Sequence, residues 1–229
     1  MEIDLESLKD HGDLRVAINT GNRALVQQVD GGLRGVSPAL ARRLADHLKA
    51  RMIPVLYSGA GPVFADADKD VWDVAFLAID PIRARKVSFT RPYHRIEATF
   101  ATRRGSPFST PGEVDRPGVT ILSSVGSAYD LWLKANLQHA TLDHAATPGE
   151  SFAAFRAGQG DVVAGIRASL HRAFSEDDEI EVMDGTLTSV DQAMVLPRPK
   201  DPRIAALDMF VEHSIADGFV ADELEKSAR

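Results

Sequence analysis

The stretch DVAFLAIDPIRARK, residues 73–86, carries an apolar run straight into a cluster of positive charge. The apolar part, 73–79, has the composition of a strand covered on both faces, as in a parallel sheet. Arg83, Arg85 and Lys86 follow almost at once. Two chemistries fit such a placement. The cluster is a solvated turn, or one guanidinium offers its planar fork to an anion. Asp80 belongs to the same turn, where a carboxylate either accepts backbone bonds or faces a ligand.

Other chemistries find little support. His139 and His144 have only Asp143 close by, which is no metal-ligand spacing, and both histidines are expected in solvent. No Gly-x-Ser-x-Gly elbow provides a hydrolase nucleophile. Gly59-Ala60-Gly61-Pro62 lacks the third glycine of a dinucleotide fingerprint, and there is no P-loop. The absence of cysteine removes disulfides and thiolate chemistry. Neither a cofactor nor a metal is expected.

A chain of 229 residues, 44% hydrophobic and 26% charged, holds one large domain or two small ones. Its net charge of −7 and its short basic stretches (Arg42-Arg43, Arg83 to Lys86, Arg103-Arg104) argue against nucleic acid. No apolar run approaches the roughly 18 residues of a membrane span, so no insertion is expected. The start, MEIDLESLKDHGD, lacks a leader's apolar core. As written, the chain is expected in the cytoplasm, or in the periplasm if it is the mature form of an exported precursor.

The elements that position these residues follow from periodicity. LRVAI (14–18) predicts a strand, and residues 21–35 a loop or hairpin. Ser37-Pro38 predicts a helix start, with Leu40, Leu44 and Leu48 on one face. Strands are expected at 52–57 and 73–79, with a short helix between them. The pattern then recurs: a strand at 118–122, a helix at 126–137 burying Leu131, Trp132 and Ala135, a capping box at Thr147–Glu150, and a strand at 161–166. Helix, strand, strand and two helices complete the chain, and Trp72 and Trp132 are expected in cores. Alternating strands and helices predict α/β architecture with parallel sheets. Residues 96–102 read as a strand crossing between two lobes, with a return near 187–195. The expected lobes are 1–100 with 194–229, and 101–193.

The ordered set of LRVAIN, GVSPALARRLADHL, WDVAFLAIDPIRARKVSFTRPY, GVTILSSVGSAYDLWL, FRAGQGDVVAG and DGFVADEL resembles the family 3 extracellular solute-binding proteins, receptors of polar-amino-acid ABC importers. The resemblance runs from about residue 13 to 225. It implies a periplasmic binding protein type II-like fold: two α/β lobes joined by two crossing strands, with a ligand cleft that closes by hinge motion. The family arginine that pairs with a ligand carboxylate falls on Arg83. The family turn whose amides and hydroxyls share that carboxylate falls on Ser124, Val125, Gly126 and Ser127, at a predicted helix start where an anion is favoured. Asn19, Asn22, Asp80 and Gln192 fall near strand ends facing the expected cleft. Arg167 is a further candidate anion contact. Glu97 lines the hinge or forms a salt bridge on the crossing strand.

This sequence departs from the family where an amino-acid ligand would be held. Ile166, followed by Arg167, stands where an acidic residue holds the ligand ammonium. Asn22 replaces a stacking aromatic, and Asp80 and Ala78 replace threonines. The expected ligand is therefore a small carboxylate or other polar anion, delivered to an ABC transporter permease. Two alternatives remain open: a cyclohexadienyl-dehydratase-like enzyme on the same scaffold, with Asp80, Glu97 or a histidine as general acid, and a cytoplasmic ligand-sensing module.

Overall fold

The computed structural model describes residues 5–9 and 12–228; the acidic start read above for a leader lies partly outside them. Strand β1 (Asp13–Asn19) runs into the hairpin β2 (Gln27–Val29) and β3 (Gly32–Arg34). Helix α1 (Val36–His47), β4 (Arg51–Tyr57), α2 (Ala60–Ala65) and β5 (Val74–Ala78) follow. A 16-residue strand, β6 (Ser88–Arg103), leads to β7 (Thr120–Ser124), α3 (Ala128–Asn136), β8 (Thr141–Ala145) and α4 (Pro148–Arg156). The chain ends through β9 (Val162–Ile166), α5 (Arg167–Ala173), β10 (Ile180–Val182), β11 (Thr188–Leu196), α6 (Ile204–Ala216) and α7 (Phe219–Ala228).

Two compact units divide this chain: Met1–Arg95 with Asp191–Arg229, and Ile96–Val190. The divisions fall a few residues before the boundaries expected from sequence. They lie inside β6 and inside β11, so strand residues form both chain connections between the units.

In the first unit the strand order is β4-β1-β5-β11. The first three strands are parallel, and β11 runs antiparallel to β5, so the sheet is mixed rather than wholly parallel. Every residue of β5 is buried, which is why it reads as a continuous apolar run. Trp72, Ala75, Leu77 and Val195 pack with Val63 of α2 on one face. α1 buries Leu40, Leu44 and Ala45.

The second unit orders its strands β6-β9-β7-β8, with β10 also paired to β6. β9, β7 and β8 are parallel, and β6 is antiparallel to β9. The two faces of β7 divide the core. Ile121 packs with Tyr129 and Leu133 of α3, and Leu122 with Phe152 and Phe155 of α4.

Local readings fail where a long-range partner intervenes. Ser37 does not cap α1. The helix begins one residue before it, with Gly35 at the N-cap, and the Ser37 hydroxyl is buried 2.9 Å from that of Tyr93. α3 buries Tyr129, Asp130 and Leu133 rather than the predicted face. Trp132 is accordingly 36% exposed, whereas Trp72 is buried.

Gly35 explains how the hairpin passes into α1. Its φ is +107°, and a Cβ there would lie 2.3 Å from the Leu25 carbonyl oxygen. Gly35→Ala is expected to cost about 1–3 kcal/mol through the strained backbone alone. A urea unfolding curve with an unchanged midpoint would contradict this.

Candidate functional site

In the first unit the sequence-predicted residues gather at the carboxyl ends of adjacent strands. Asn19 closes β1. Its Oδ1 accepts the Gly21 N–H at 3.0 Å, and its carbonyl accepts the Asn22 N–H at 3.3 Å. The Thr20 N–H and hydroxyl both donate to the Tyr57 carbonyl, at 2.8 and 2.9 Å, tying the loop to the end of β4. Gly21 permits the approach, since a Cβ there would lie 2.3 Å from the Ser58 carbonyl oxygen. Asn22 Oδ1 is buried without a hydrogen-bond partner, while the Asn22 carbonyl accepts the Leu25 and Val26 N–H groups.

The turn after β5 is built by Asp80. Its Oδ1 accepts the Ile82 and Arg83 N–H groups at 2.8 and 3.1 Å, an Asx turn that leads into the short 3₁₀ turn Arg83–Arg85. That turn directs Arg83 inward, where it is 1% exposed. Its Nη1 donates to the Ala78 carbonyl at 3.0 Å, and Ala78 pairs across the sheet with Gln192 of β11, itself buried. Burial pushes the Arg83 guanidinium down to about 10, and the negative charge of Asp80 opposes that shift. Of the three cations in the opening cluster, Arg85 is exposed. Lys86 is not a merely solvated charge: its Nζ reaches the Ala65 carbonyl at 3.1 Å and Asp68 at 3.0 Å.

The second unit uses its polar groups differently. Ser127 is the N-cap of α3, accepting the Asp130 N–H at 3.1 Å. The backbone amides expected to serve an anion are engaged within the unit. Val125 N–H donates to the Ala145 carbonyl (3.0 Å), Ser127 N–H to the Ser124 carbonyl (3.1 Å), and Gly126 N–H to Asp130 Oδ2 (2.8 Å). Ser124 and Ser127 are buried with the Tyr129 hydroxyl beside them; burial raises that phenol to about 12. Arg167 is likewise committed. Its Nε meets Glu97 Oε2 at 3.2 Å, its Nη1 donates to the Met183 carbonyl at 3.0 Å, and its Nη2 donates to the Gly185 carbonyl. It clamps β6 and the segment after β10 rather than presenting a fork to a ligand, and Glu97 forms the salt bridge weighed from the sequence.

A family model for bacterial extracellular solute-binding proteins, family 3, matches residues 14–225. The chain belongs to that family. Its fold is the mixed α/β architecture of type II periplasmic binding proteins. The cysteine-binding protein from Campylobacter jejuni superposes with a TM-score of 0.85 at 17% identity, covering 97% of this chain and 92% of that one. The L-cystine-binding protein TcyJ of Escherichia coli (strain K12) is 23% identical over 228 residues, 97% of this chain and 85% of the relative. A cyclohexadienyl dehydratase of Pseudomonas aeruginosa is 30% identical over 146 residues, 62% of this chain. That match spans about half, 54%, of the enzyme's length.

In this solute-binding protein, sequence reasoning overlooked Asp130 and Tyr129, and weighed His144 only as a side chain in solvent. Asp130 is fully buried, and His144 Nε2 lies 2.8 Å from its Oδ1. The spacing Ser127-x-x-Asp130 was the available signal, since a hydroxyl three residues before a carboxylate is a helix-start pattern. His144 carried no such signal, because β8, which brings it to Asp130, was not anticipated. Arg167→Ala is expected to lower stability by about 1–3 kcal/mol through loss of charge-assisted bonds to two carbonyls. Its solute affinity is expected to stay within about threefold of wild type, far below the loss of a desolvated ligand contact. Thermal unfolding and calorimetric titration of the same variant separate the two effects.

Proposed function

We propose that this solute-binding protein binds a small carboxylate and delivers it to an ABC transporter permease. The carrying observation is Arg83. A guanidinium held out of water at the carboxyl end of a buried strand pays a desolvation cost, and a carboxylate docking on its fork offsets it. Gln192, paired with Ala78 at the end of β5, and Asn19, at the end of β1 beside β5, supply neutral hydrogen-bonding groups.

A carboxylate solute is favoured over an α-amino acid because the acids that would hold an ammonium have other tasks. Asp80 closes its own turn, Glu97 pairs with Arg167, and Asp130 is enclosed by its own donors. The relatives named for cysteine and cystine bind amino acids, so the decisive comparison is direct. Calorimetric titration with a panel of small organic acids and a panel of amino acids is expected to show tight binding within the acid panel only. Arg83→Ala is expected to lose about 2–5 kcal/mol of binding, and Arg83→Lys to recover only part of it because the ammonium lacks the planar fork. Amino-acid binding, or unchanged affinity in Arg83→Ala, would contradict the proposal.

The dehydratase similarity favours a second reading, an enzyme acting on a cyclohexadienyl acid. That chemistry needs a positioned general acid, and two of the candidates, Asp80 and Glu97, are engaged in structural contacts. Incubation with prephenate or arogenate is expected to yield no aromatic product above the rate without protein, as followed by ultraviolet absorbance. Turnover would put the enzyme reading first.

A further inference from the structure

We infer that Asp30, at the tip of the β2–β3 hairpin, is a site of spontaneous isoaspartate formation, and so a substrate for enzymes that methylate the carboxylate this rearrangement exposes. The sequence holds three Asp-Gly pairs, Asp30-Gly31, Asp184-Gly185 and Asp217-Gly218, and no Asn-Gly pair. A glycine amide nitrogen reaches the preceding side chain readily, because no Cβ restricts the backbone there. The pairs are alike in sequence, and the structure separates them.

In the reaction the Gly31 nitrogen attacks Asp30 Cγ and gives up its proton. A carboxyl oxygen leaves as water, and a cyclic imide joins the two residues. Water then reopens the ring. Cleavage at Cγ restores aspartate. Cleavage at the Asp30 main-chain carbonyl reroutes the chain through Cγ and frees an α-carboxylate. The water lost is regained, so no co-reactant is needed. The step is favoured by an uncrowded backbone, a glycine N–H without an acceptor and a carboxyl without a partner.

Asp30 meets all three conditions. Asp30, Gly31 and Gly32 are exposed, and a Cβ at Gly31 would meet nothing within 4 Å. Among the described residues, neither the Asp30 carboxylate nor the Gly31 N–H has a hydrogen-bonding or ionic partner. Asp217 is locked instead. Arg43 grips both of its carboxylate oxygens, Oδ1 also accepts the Phe219 N–H at 3.1 Å, and the Gly218 N–H donates to the Ile215 carbonyl at 3.1 Å. The Arg43 guanidinium holds that carboxyl below its ordinary range, in the ionised form that parts with oxygen least readily. Asp184 is exposed, but the chain on either side is pinned. The Met183 N–H donates to the Phe100 carbonyl at 2.9 Å, and the Gly185 carbonyl accepts the Thr99 hydroxyl at 3.0 Å and Arg167 Nη2.

Rerouting lengthens the main chain by a carbon between Val29 and Gly32, which pair across the hairpin, and so disturbs the register that the short loop sets. Gln27 of the same hairpin donates through Nε2 to the Ser227 carbonyl at 3.2 Å, so the disturbance reaches the end of α7.

The test incubates the full chain near neutral pH at body temperature for several weeks and then digests it with trypsin. The three pairs fall in separate peptides, 24–34, 173–200 and 204–226. Each is scored for isoaspartate by chromatographic separation and by methyl transfer from S-adenosylmethionine through an isoaspartyl methyltransferase. Isoaspartate is expected to build up in peptide 24–34 at least about fivefold faster than in either of the others, whose restraints must open before the ring closes. Asp30→Glu, whose longer side chain cyclises far more slowly, is expected to leave that peptide unmodified. Equal rates in the three peptides, an unmodified 24–34 peptide in wild type, or undiminished methylation of it in Asp30→Glu would overturn the inference.

Discussion

A positive charge enclosed by protein is the constraint around which the first unit is organised. Water stabilises a guanidinium far better than packed side chains do, so burying one demands polar groups placed in advance. The first unit places them with backbone. β5 is buried along its whole length and ends at Ala78, whose carbonyl points at the Arg83 guanidinium. Asp80 then folds the turn back by accepting bonds from two amides, which brings its negative charge close to the same guanidinium. β11 pairs with β5 on the far side and sets Gln192 opposite Ala78. Ala78, Asp80 and Arg83 are close in sequence, and Gln192 joins them because β11 pairs antiparallel to β5 where β5 ends.

The second unit treats charge in the opposite way. Three of its ionic groups are closed on partners within the unit. Arg167 ties together a carboxylate of β6 and two carbonyls beyond β10. Asp130 is enclosed by an amide, an ammonium and an imidazole. Arg103 spans the carbonyls of Phe155, Gln159 and Gly160 while lying 4.3 Å over the Phe155 ring. Each arrangement fixes a helix end or a loop to a strand without leaving a charge for a ligand. The contrast lies in how charge is held: a guanidinium buried beside backbone carbonyl and turn in the first unit, and paired ionic clusters in the second.

Membership in the solute-binding family makes these differences informative, because relatives on this fold range from receptors to a dehydratase. Fold alone does not choose among them. The choice rests on which polar groups are available, and availability is a property of partners rather than of residue types.

Periodicity and turn chemistry were legible in the sequence alone. β1, β5 and β9 follow from apolar runs, because a strand buried on both faces must be apolar along its length. Arg83 stood out for the same reason, as a charge at the end of such a run. Tertiary structure decided what each polar side chain does. Ser37 looked like a cap until Tyr93 supplied a partner, Arg167 looked available until Glu97 and two carbonyls were brought to it, and Asp130 was unremarked until β8 delivered His144. Backbone preference acts over a few neighbouring residues, so sequence displays it. A hydrogen bond belongs to two groups at once, and only folding brings the second one within 3 Å.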